Sequence, residues 1–238
     1  MVNGSVYAAV QQKGRRVNSD KDQGAGVLQA GVARFRTEIF PKKQARFEEL
    51  ARGQHPSTLF ITCADSRVVP EMITQTEPGD LFVCRNIGNI VPGYGEMMGG
   101  VSAVVEYACV ALGVSDIIVC GHSDCGAMKG LLSPDDKVLA RMPTVTQWLR
   151  NAHAALSVVE ATKAELDGSD KLQALVEQNV LTQIQHLKTH PSVAARVADG
   201  TLSIHGWIYD IETGDVQRHD EKRGTMVPMT EAERADVT

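Results

Sequence analysis

Residues 117–125 read IIVCGHSDC, an apolar run that ends in two side chains able to bind a metal. A short run of this kind is typical of a strand buried on both faces of a parallel sheet. His122 and Cys125 follow it, three residues apart. Ligands in α/β folds bind at the carboxyl ends of strands. We therefore expect any further ligands of this pair to come from the end of a neighbouring strand.

The rest of the chain alternates apolar runs with helical patterns. Apolar runs predict strands at 58–63, 81–84, 117–120 and 202–209. A first helix is predicted by the apolar stripe Leu28, Val32, Phe35 and Ile39. Further helices are predicted at 41–52, 98–112, 144–166, 170–189 and 191–198. Strands that alternate with helices indicate an α/β fold, with a mainly parallel β-sheet core flanked by helices.

The pattern also divides the chain into regions. Residues 1–24 are polar and without periodicity, which indicates an N-terminal arm. Residues 25–238 are predicted to form a single α/β domain. Within it we expect N-terminal helices at 25–53, the core at 54–210 and a C-terminal tail at 211–238.

Composition excludes several classes of protein. The net charge of −5 and an aromatic content of 5% argue against nucleic-acid binding. Five cysteines are an odd number for a disulfide framework, and the N-terminal residues lack the apolar core of a secretory signal. No apolar run approaches the roughly 18 residues that a membrane span needs. We expect a cytoplasmic protein without a membrane partner.

A second strand end supplies the missing ligand. Cys63 is the last residue of the 58–63 run, and parallel strands place their carboxyl ends at one edge of a sheet. Cys63, His122 and Cys125 then form a Cys₂His set, which suits Zn²⁺ and leaves a fourth position open. Asp65 could fill that position or steer a water bound there. With Arg67 it could equally form an ordinary salt bridge in a turn.

The remaining cysteines and most of the remaining histidines have plainer interpretations. Cys84, Cys109 and Cys120 lie in apolar stretches and are expected to be small core residues. Polar surroundings predict surface positions for His55, His153, His186, His190 and His219.

Two signatures, CADSR at 63–67 and HSDCG at 122–126, resemble those of the β-class carbonic anhydrases. The resemblance covers about Gly53 to Asp210 and includes EPGD, RNIGN, Glu106-Tyr107 and GWIYD. It implies zinc-dependent reversible hydration of CO₂ to bicarbonate and a proton by a zinc-bound hydroxide, with one Zn²⁺ per chain. It also implies an N-terminal helical arm that packs on a partner subunit, in a homodimer or homotetramer.

The resemblance assigns roles to individual residues. It implies that Cys63, His122 and Cys125 bind zinc and that Asp65 and Arg67 form the catalytic dyad. Substrate-binding positions implied in the same way are Gln54, Phe82, Ile87, Tyr107 and Gly126, with Gln54 serving the pocket of the partner subunit.

One position departs from a subtype of the family. Some bacterial members bind regulatory bicarbonate with a tryptophan three residues before the first zinc cysteine, together with an arginine and a tyrosine. Arg85 and Tyr209 match the latter two, but the first position is Phe60, which has no indole N–H. We expect this departure to weaken or abolish regulation by bicarbonate.

Two other functions remain compatible with the sequence. A CS₂ or COS hydrolase of the same family would use the same ligands and dyad. A non-catalytic zinc-binding structural or regulatory protein belongs to a different class, and the Asp65–Arg67 pair beside an open zinc site argues against it. A thiol redox protein is weaker still, because no C-x-x-C pair is present.

Overall fold

The computed structural model describes residues 21–96 and 99–229. The chain divides into two compact units, residues 1–55 and 56–238. The predicted polar arm at 1–24 falls largely outside the described residues, and residues 21–24 already belong to a helix. No helix in the described ranges is long and apolar enough to cross a membrane.

The first unit is helical. Helix α1 (Lys21–Arg34) continues as a π-helical turn (Phe35–Ile39) and a 3₁₀ turn (Phe40–Lys43), and α2 (Gln44–Leu50) follows. The helix predicted at 41–52 therefore begins as a 3₁₀ turn and ends two residues early. The rings of Phe35, Phe40 and Phe47 lie within 6.0 Å of one another. In contrast, the side chains of Val27, Leu28 and Val32 are exposed.

The second unit is built on a six-stranded sheet in the order β2-β1-β3-β4-β5-β6. The strands are β1 (Thr58–Cys63), β2 (Leu81–Asn86), β3 (Asp116–His122), β4 (Ser203–Tyr209), β5 (Val216–Asp220) and β6 (Thr225–Pro228). The first four in spatial order pair in parallel, and the last two are antiparallel. The prediction of an α/β fold with a mainly parallel sheet is confirmed.

The four predicted strands are present, and two more were missed. The structure lengthens the 81–84 and 117–120 strands to Asn86 and His122. Strands β5 and β6 lie in the region predicted as a tail, and the sequence of β5, VQRHD at 216–220, carries little apolar signal. Residues 230–238 lie outside the described part of the chain.

The helices of the second unit flank this sheet. They are α3 (Pro70–Thr74), α4 (Val101–Glu106), α5 (Gly126–Leu132), α6 (Pro143–Leu149), α7 (His153–Thr162), α8 (Gly168–Lys188) and α9 (Pro191–Ala198). The helix predicted at 98–112 begins only at Val101, after Gly99 and Gly100 with positive φ, and continues as a π-helical turn to Leu112.

The helix predicted at 144–166 was wrong in its continuity. Helix α6 ends at Leu149, and a 3₁₀ turn over Arg150–Ala152 separates it from α7. The buried side chains Leu149, Ala152 and Ala155 are three residues apart. A spacing of three matches the 3₁₀ period rather than 3.6, so burying all three tightens the chain at this point.

Helix α8 lies directly on the sheet at two glycines. A Cβ added at Gly121 would lie 2.9 Å from Val180, and one at Gly206 would meet Val180 and Ile184 at 2.9 and 3.0 Å. The absence of side chains at Gly121 in β3 and Gly206 in β4 therefore allows the close approach of α8.

Helix α8 and the residues that follow it also hold the loop after β2. His186 Nδ1 lies 2.8 Å from the carbonyl of Val91, and His190 Nε2 lies 3.0 Å from that of Pro92. His190 is 2% exposed and His186 is half-buried. The expected surface positions of these two histidines were wrong, because each ring reaches a loop carbonyl that the sequence alone does not place beside it.

Candidate metal centre

The carboxyl ends of β1 and β3 bring three soft ligands together. The strands pair in parallel, with Thr62 beside Cys120, so that Cys63 and His122 end at the same edge. Cys125 lies three residues further on, immediately before α5. The ligand atoms of Cys63, His122 and Cys125 all lie within 4.8 Å of one another, and all three residues are buried. The predicted convergence of two strand ends is confirmed.

The imidazole of His122 is oriented by the backbone of the next residue. Its Nδ1 lies 2.8 Å from the carbonyl oxygen of Ser123, and only an N–H can donate to that acceptor. Nε2 is then the unprotonated nitrogen with a lone pair directed into the cluster. Within the described ranges, His122 Nε2 and Asn89 Nδ2 are the buried side-chain polar atoms without a hydrogen-bond partner. A buried lone pair without a donor is what a metal ligand presents before the ion binds.

The two thiols of the cluster favour one thiolate even without a metal. A hydrogen bond from Cys125 lowers the pKa of Cys63, against the effect of burial, and the N–H groups of Gly88 and Asp65 assist. The same contact with Cys63, followed by burial, raises the pKa of Cys125. By contrast, burial raises the pKa of Cys120 to about 12. Cys120 is fully buried, whereas Cys63 belongs to a site prepared for negative charge.

Asp65 and Arg67 form a bidentate ion pair beside the cluster. Arg67 Nη2 and Nε lie 2.7 and 2.9 Å from the two Asp65 oxygens, and the Arg67 backbone N–H donates to Oδ1 at 3.0 Å. The hydrogen bonds from Arg67 lower the pKa of Asp65 to about 2. Asp65 is therefore ionised near neutral pH. Its Oδ2 lies 4.0 Å from His122 Nε2, too far for a hydrogen bond.

A second carboxylate, which the sequence analysis did not single out, also binds Arg67. Arg67 Nη1 lies 3.1 Å from Asp124 Oδ2, and the other oxygen of Asp124 is paired with Lys129. Burial opposes the ionisation of Asp124, but Lys129 and Arg67 outweigh it and lower its pKa. Asp124 lies between His122 and Cys125 in a left-handed conformation, with φ of 59°. The HSDCG signature contained this residue, but its contact with Arg67 depends on the fold.

The predicted substrate-binding positions are distributed over both units. Gln54 lies in the first unit and is exposed. In the second unit, the rings of Phe82 and Tyr107 are 5.8 Å apart, and Gly126 begins α5. Tyr107 and Ile87 are about half exposed. Phe82 lies early in β2 against Tyr107, whereas Ile87 follows the end of the same strand.

Comparison with known proteins agrees with this arrangement. The family model described as carbonic anhydrase matches residues 58–216. The carbonic anhydrase of Pseudomonas aeruginosa is 49% identical over 201 residues, which are 84% of this chain and 90% of that protein.

The chain belongs to the β-class carbonic anhydrase family.

Solved structures of the family have the same fold. The β-carbonic anhydrase CcaA matches with a TM-score of 0.84 at 46% identity, over 87% of this chain and all of that chain. One of two tetrameric β-carbonic anhydrases from Sordaria macrospora matches with a TM-score of 0.64 at 28% identity, over 83% and 94% of the two chains.

Zinc is the cofactor of β-carbonic anhydrases, and the site fits it on chemical grounds. Two thiolates and an imidazole are soft to borderline ligands that suit Zn²⁺. The ion would also take up the lone pair of His122 Nε2, which is otherwise buried without a partner. Cys63, His122 and Cys125 are the residues that would hold the ion, and Asp65 beside them is paired with Arg67.

The residues matched to the regulatory site have other contacts. Arg85 donates to the carbonyls of Asp65 and Cys63, at 2.7 and 3.3 Å. Phe60 is fully buried and packs edge-on against Trp207, with ring centroids 6.0 Å apart. Tyr209 packs against the same cluster. An apolar ring therefore occupies the position at which the subtype places an indole N–H.

Proposed function

We propose that this chain catalyses the reversible hydration of CO₂ to bicarbonate and a proton, with one zinc ion held by Cys63, His122 and Cys125. The observation that carries the proposal is the buried Cys₂His group beside a carboxylate that Arg67 holds. A structural zinc site would be closed by four protein ligands. Here the carboxylate beside the three ligands, that of Asp65, is paired with Arg67.

When bound, the zinc ion supplies a Lewis acid that lowers the pKa of water and makes a nucleophile available near neutral pH. Asp65 is ionised, and its oxygen near His122 can accept a hydrogen bond from that water. By accepting this bond, Asp65 would orient the water for attack on CO₂. Arg67 keeps the carboxylate in place through two parallel hydrogen bonds, a geometry that adds orientation as well as energy.

The substrate is small and apolar, and the proposed pocket suits it. Phe82, Ile87 and Tyr107 supply apolar walls, and the backbone N–H of Gly126 is a donor for the developing bicarbonate. Gln54 would contribute a side-chain amide to the pocket of a partner subunit. A mostly apolar pocket with few polar groups is the usual form of a small-molecule site.

Loss of a zinc ligand is the first test. Cys63→Ser and His122→Ala should each lose bound zinc, because the site then has too few soft donors. CO₂ hydration should fall by more than the roughly 10–100-fold that loss of an outer-shell partner costs. Elemental analysis and stopped-flow CO₂ hydration measure the two quantities.

Cys84→Ala is the matched control for these variants. Cys84 is buried in β2, and burial raises its pKa, so we expect it to remain a neutral core thiol. This variant should keep about one zinc per chain. Full zinc in Cys63→Ser and His122→Ala would refute the ligand assignment.

Parallel assays with CO₂ and CS₂ separate hydration of CO₂ from the alternative hydrolase activity.

The dyad provides the second test. Arg67→Ala should keep zinc but lose about 10²-fold or more of turnover, the scale of an oriented proton acceptor. Without the guanidinium, Asp65 keeps only the hydrogen bond from the backbone N–H of residue 67, and its carboxylate can turn toward the fourth zinc position. Arg67→Lys keeps the charge but cannot form the bidentate pair. Its activity should therefore lie between those of the wild-type enzyme and Arg67→Ala. Near-normal turnover in Arg67→Ala with full zinc would mean that the pair is only a salt bridge in a turn.

The third test concerns assembly as a homodimer or a larger homo-oligomer. We propose that the apolar stripe Leu28, Val32, Phe35 and Ile39 packs on a partner subunit. Leu28 and Val32 are 72% and 67% exposed in the single chain, which is costly for neighbouring aliphatic residues on one helix. The double variant Leu28→Glu, Val32→Glu should yield monomers with little activity, because Gln54 then serves no neighbouring pocket. Light scattering and CO₂ hydration measure both effects.

Gln29→Glu is the control on the same helix. Gln29 is exposed, and its substitution adds charge without touching the stripe. The oligomer should survive this change. A fully active monomer in the double variant would contradict the shared pocket.

The cytoplasmic location of the enzyme is also proposed. Its five unpaired cysteines support this, and cell fractionation tests it.

The fourth test concerns regulation. We propose that Phe60 leaves the chain without the regulatory bicarbonate site, since the ring offers no donor and Arg85 already binds two carbonyls. Added bicarbonate should then inhibit hydration only as a product does, with a Hill coefficient near one. A steep, cooperative loss of activity with bicarbonate would show that Arg85 and Tyr209 still form the site.

A further inference from the structure

The peptide group between Ile87 and Gly88 lies between an indole and a proposed zinc ligand. Its N–H, on Gly88, donates to Cys63 Sγ at 3.4 Å. Its carbonyl, on Ile87, accepts a hydrogen bond from Trp148 Nε1 at 2.8 Å. The atoms of one peptide group are coplanar, so a contact that fixes the carbonyl also fixes the direction of the N–H. Trp148 therefore acts on the sulfur of Cys63 through a single peptide.

Packing at Gly88 limits where this peptide can go. Gly88 is buried with φ of +80°, and a Cβ added there would lie 2.8 Å from Cβ of Ala127. Ala127 lies in α5, two residues after Cys125. The loop after β2 is thus in direct contact with the segment that supplies another ligand, and it leaves no room for a side chain at this position.

Two buried amides hold the far side of the same loop. Asn179 Nδ2 donates to the carbonyl of Gly88 at 3.0 Å, and Gln183 Nε2 donates to Asn179 Oδ1 at 2.9 Å. Gln183 Oε1 in turn accepts from the N–H of Val91 at 2.9 Å. Asn179 and Gln183 are 1% and 0% exposed. Buried amides are costly unless paired, and all these contacts serve the loop.

We propose that Trp148 is a positioning residue for the metal centre: its indole N–H holds the 87–88 peptide so that the Gly88 N–H remains directed at the Cys63 sulfur. The Asn179–Gln183 pair binds the next carbonyl along the chain, that of Gly88. The Trp148 indole instead binds the carbonyl of Ile87, which belongs to the peptide whose N–H donates to Cys63. This inference rests on the proposed zinc site. A donor to a ligand atom orients that ligand and tunes its bond to the metal.

Trp148→Phe is the informative variant, because it removes the N–H and keeps an aromatic ring. We expect zinc affinity, measured by competition with a chelator, to fall about 10-fold, within the range typical of outer-shell partners. The thiolate-to-cobalt charge-transfer band of the cobalt-substituted protein should shift, since the hydrogen bond to Cys63 weakens. The Gly88 amide should exchange faster in the zinc-loaded protein.

Trp207→Phe is the matched control. The chain has two tryptophans, and Trp207 lies in β4 against Phe60 rather than against the 86–91 loop. Its variant should leave zinc affinity and the cobalt band unchanged. Thermal unfolding of both metal-free variants separates general destabilisation from an effect at the metal.

The outcomes separate this inference from the proposed function. A wild-type chain that binds no zinc would refute the proposed function. A wild-type zinc enzyme whose Trp148→Phe variant has unchanged affinity and an unchanged cobalt band would refute the positioning role alone. A lower unfolding temperature with an unchanged band would also refute it, because the tryptophan would then only stabilise the fold.

Discussion

The parallel pairing of β1 with β3 is the constraint on which the rest of the site depends. Cys63 and His122 are far apart in the chain, and neither has a local reason to meet the other. The register with Thr62 beside Cys120 ends both strands at one edge of the sheet. Cys125 then needs only the short turn before α5 to complete the group. The metal ligands are therefore positioned by backbone hydrogen bonds in the core, which are among the least mobile parts of a fold.

Helix α8 connects the packing of this sheet to the chemistry at its edge. One side of the helix places Val180 against the bare backbones of Gly121 and Gly206. Another side directs Asn179 and Gln183 at the loop after β2. Both sets of side chains belong to the same helix. The distance between α8 and the sheet therefore also sets the position of the loop that donates to Cys63. A larger residue at either glycine would move α8 outward, and the loop with it.

Local sequence patterns predicted the parts of this structure that depend on neighbours in the chain. The apolar runs located the four parallel strands. The side chains at two strand ends identified Cys63, His122 and Cys125 as candidate ligands. Contacts made by tertiary packing were not predictable in this way. Trp148 lies in the helix predicted at 144–166, and nothing near it in sequence indicates the carbonyl of Ile87 as its acceptor. His190 was read as a surface residue because its neighbours are polar, although Pro92 accepts its hydrogen bond.

Arg67 binds two carboxylates that differ in their exposure to solvent. Arg67 and Asp124 are 43% and 53% exposed in their side chains, and pairs of this kind contribute about 0–1 kcal/mol to stability. The contact between Arg67 and Asp124 therefore adds little to the stability of the fold. Asp65 is less exposed, at 17%, and takes hydrogen bonds from both the side chain and the backbone of Arg67. The arrangement therefore restricts the direction of the Asp65 carboxylate. The carboxylate of Asp124 binds Nη1 of Arg67, whereas that of Asp65 binds Nε and Nη2, so the two carboxylates use different guanidinium nitrogens.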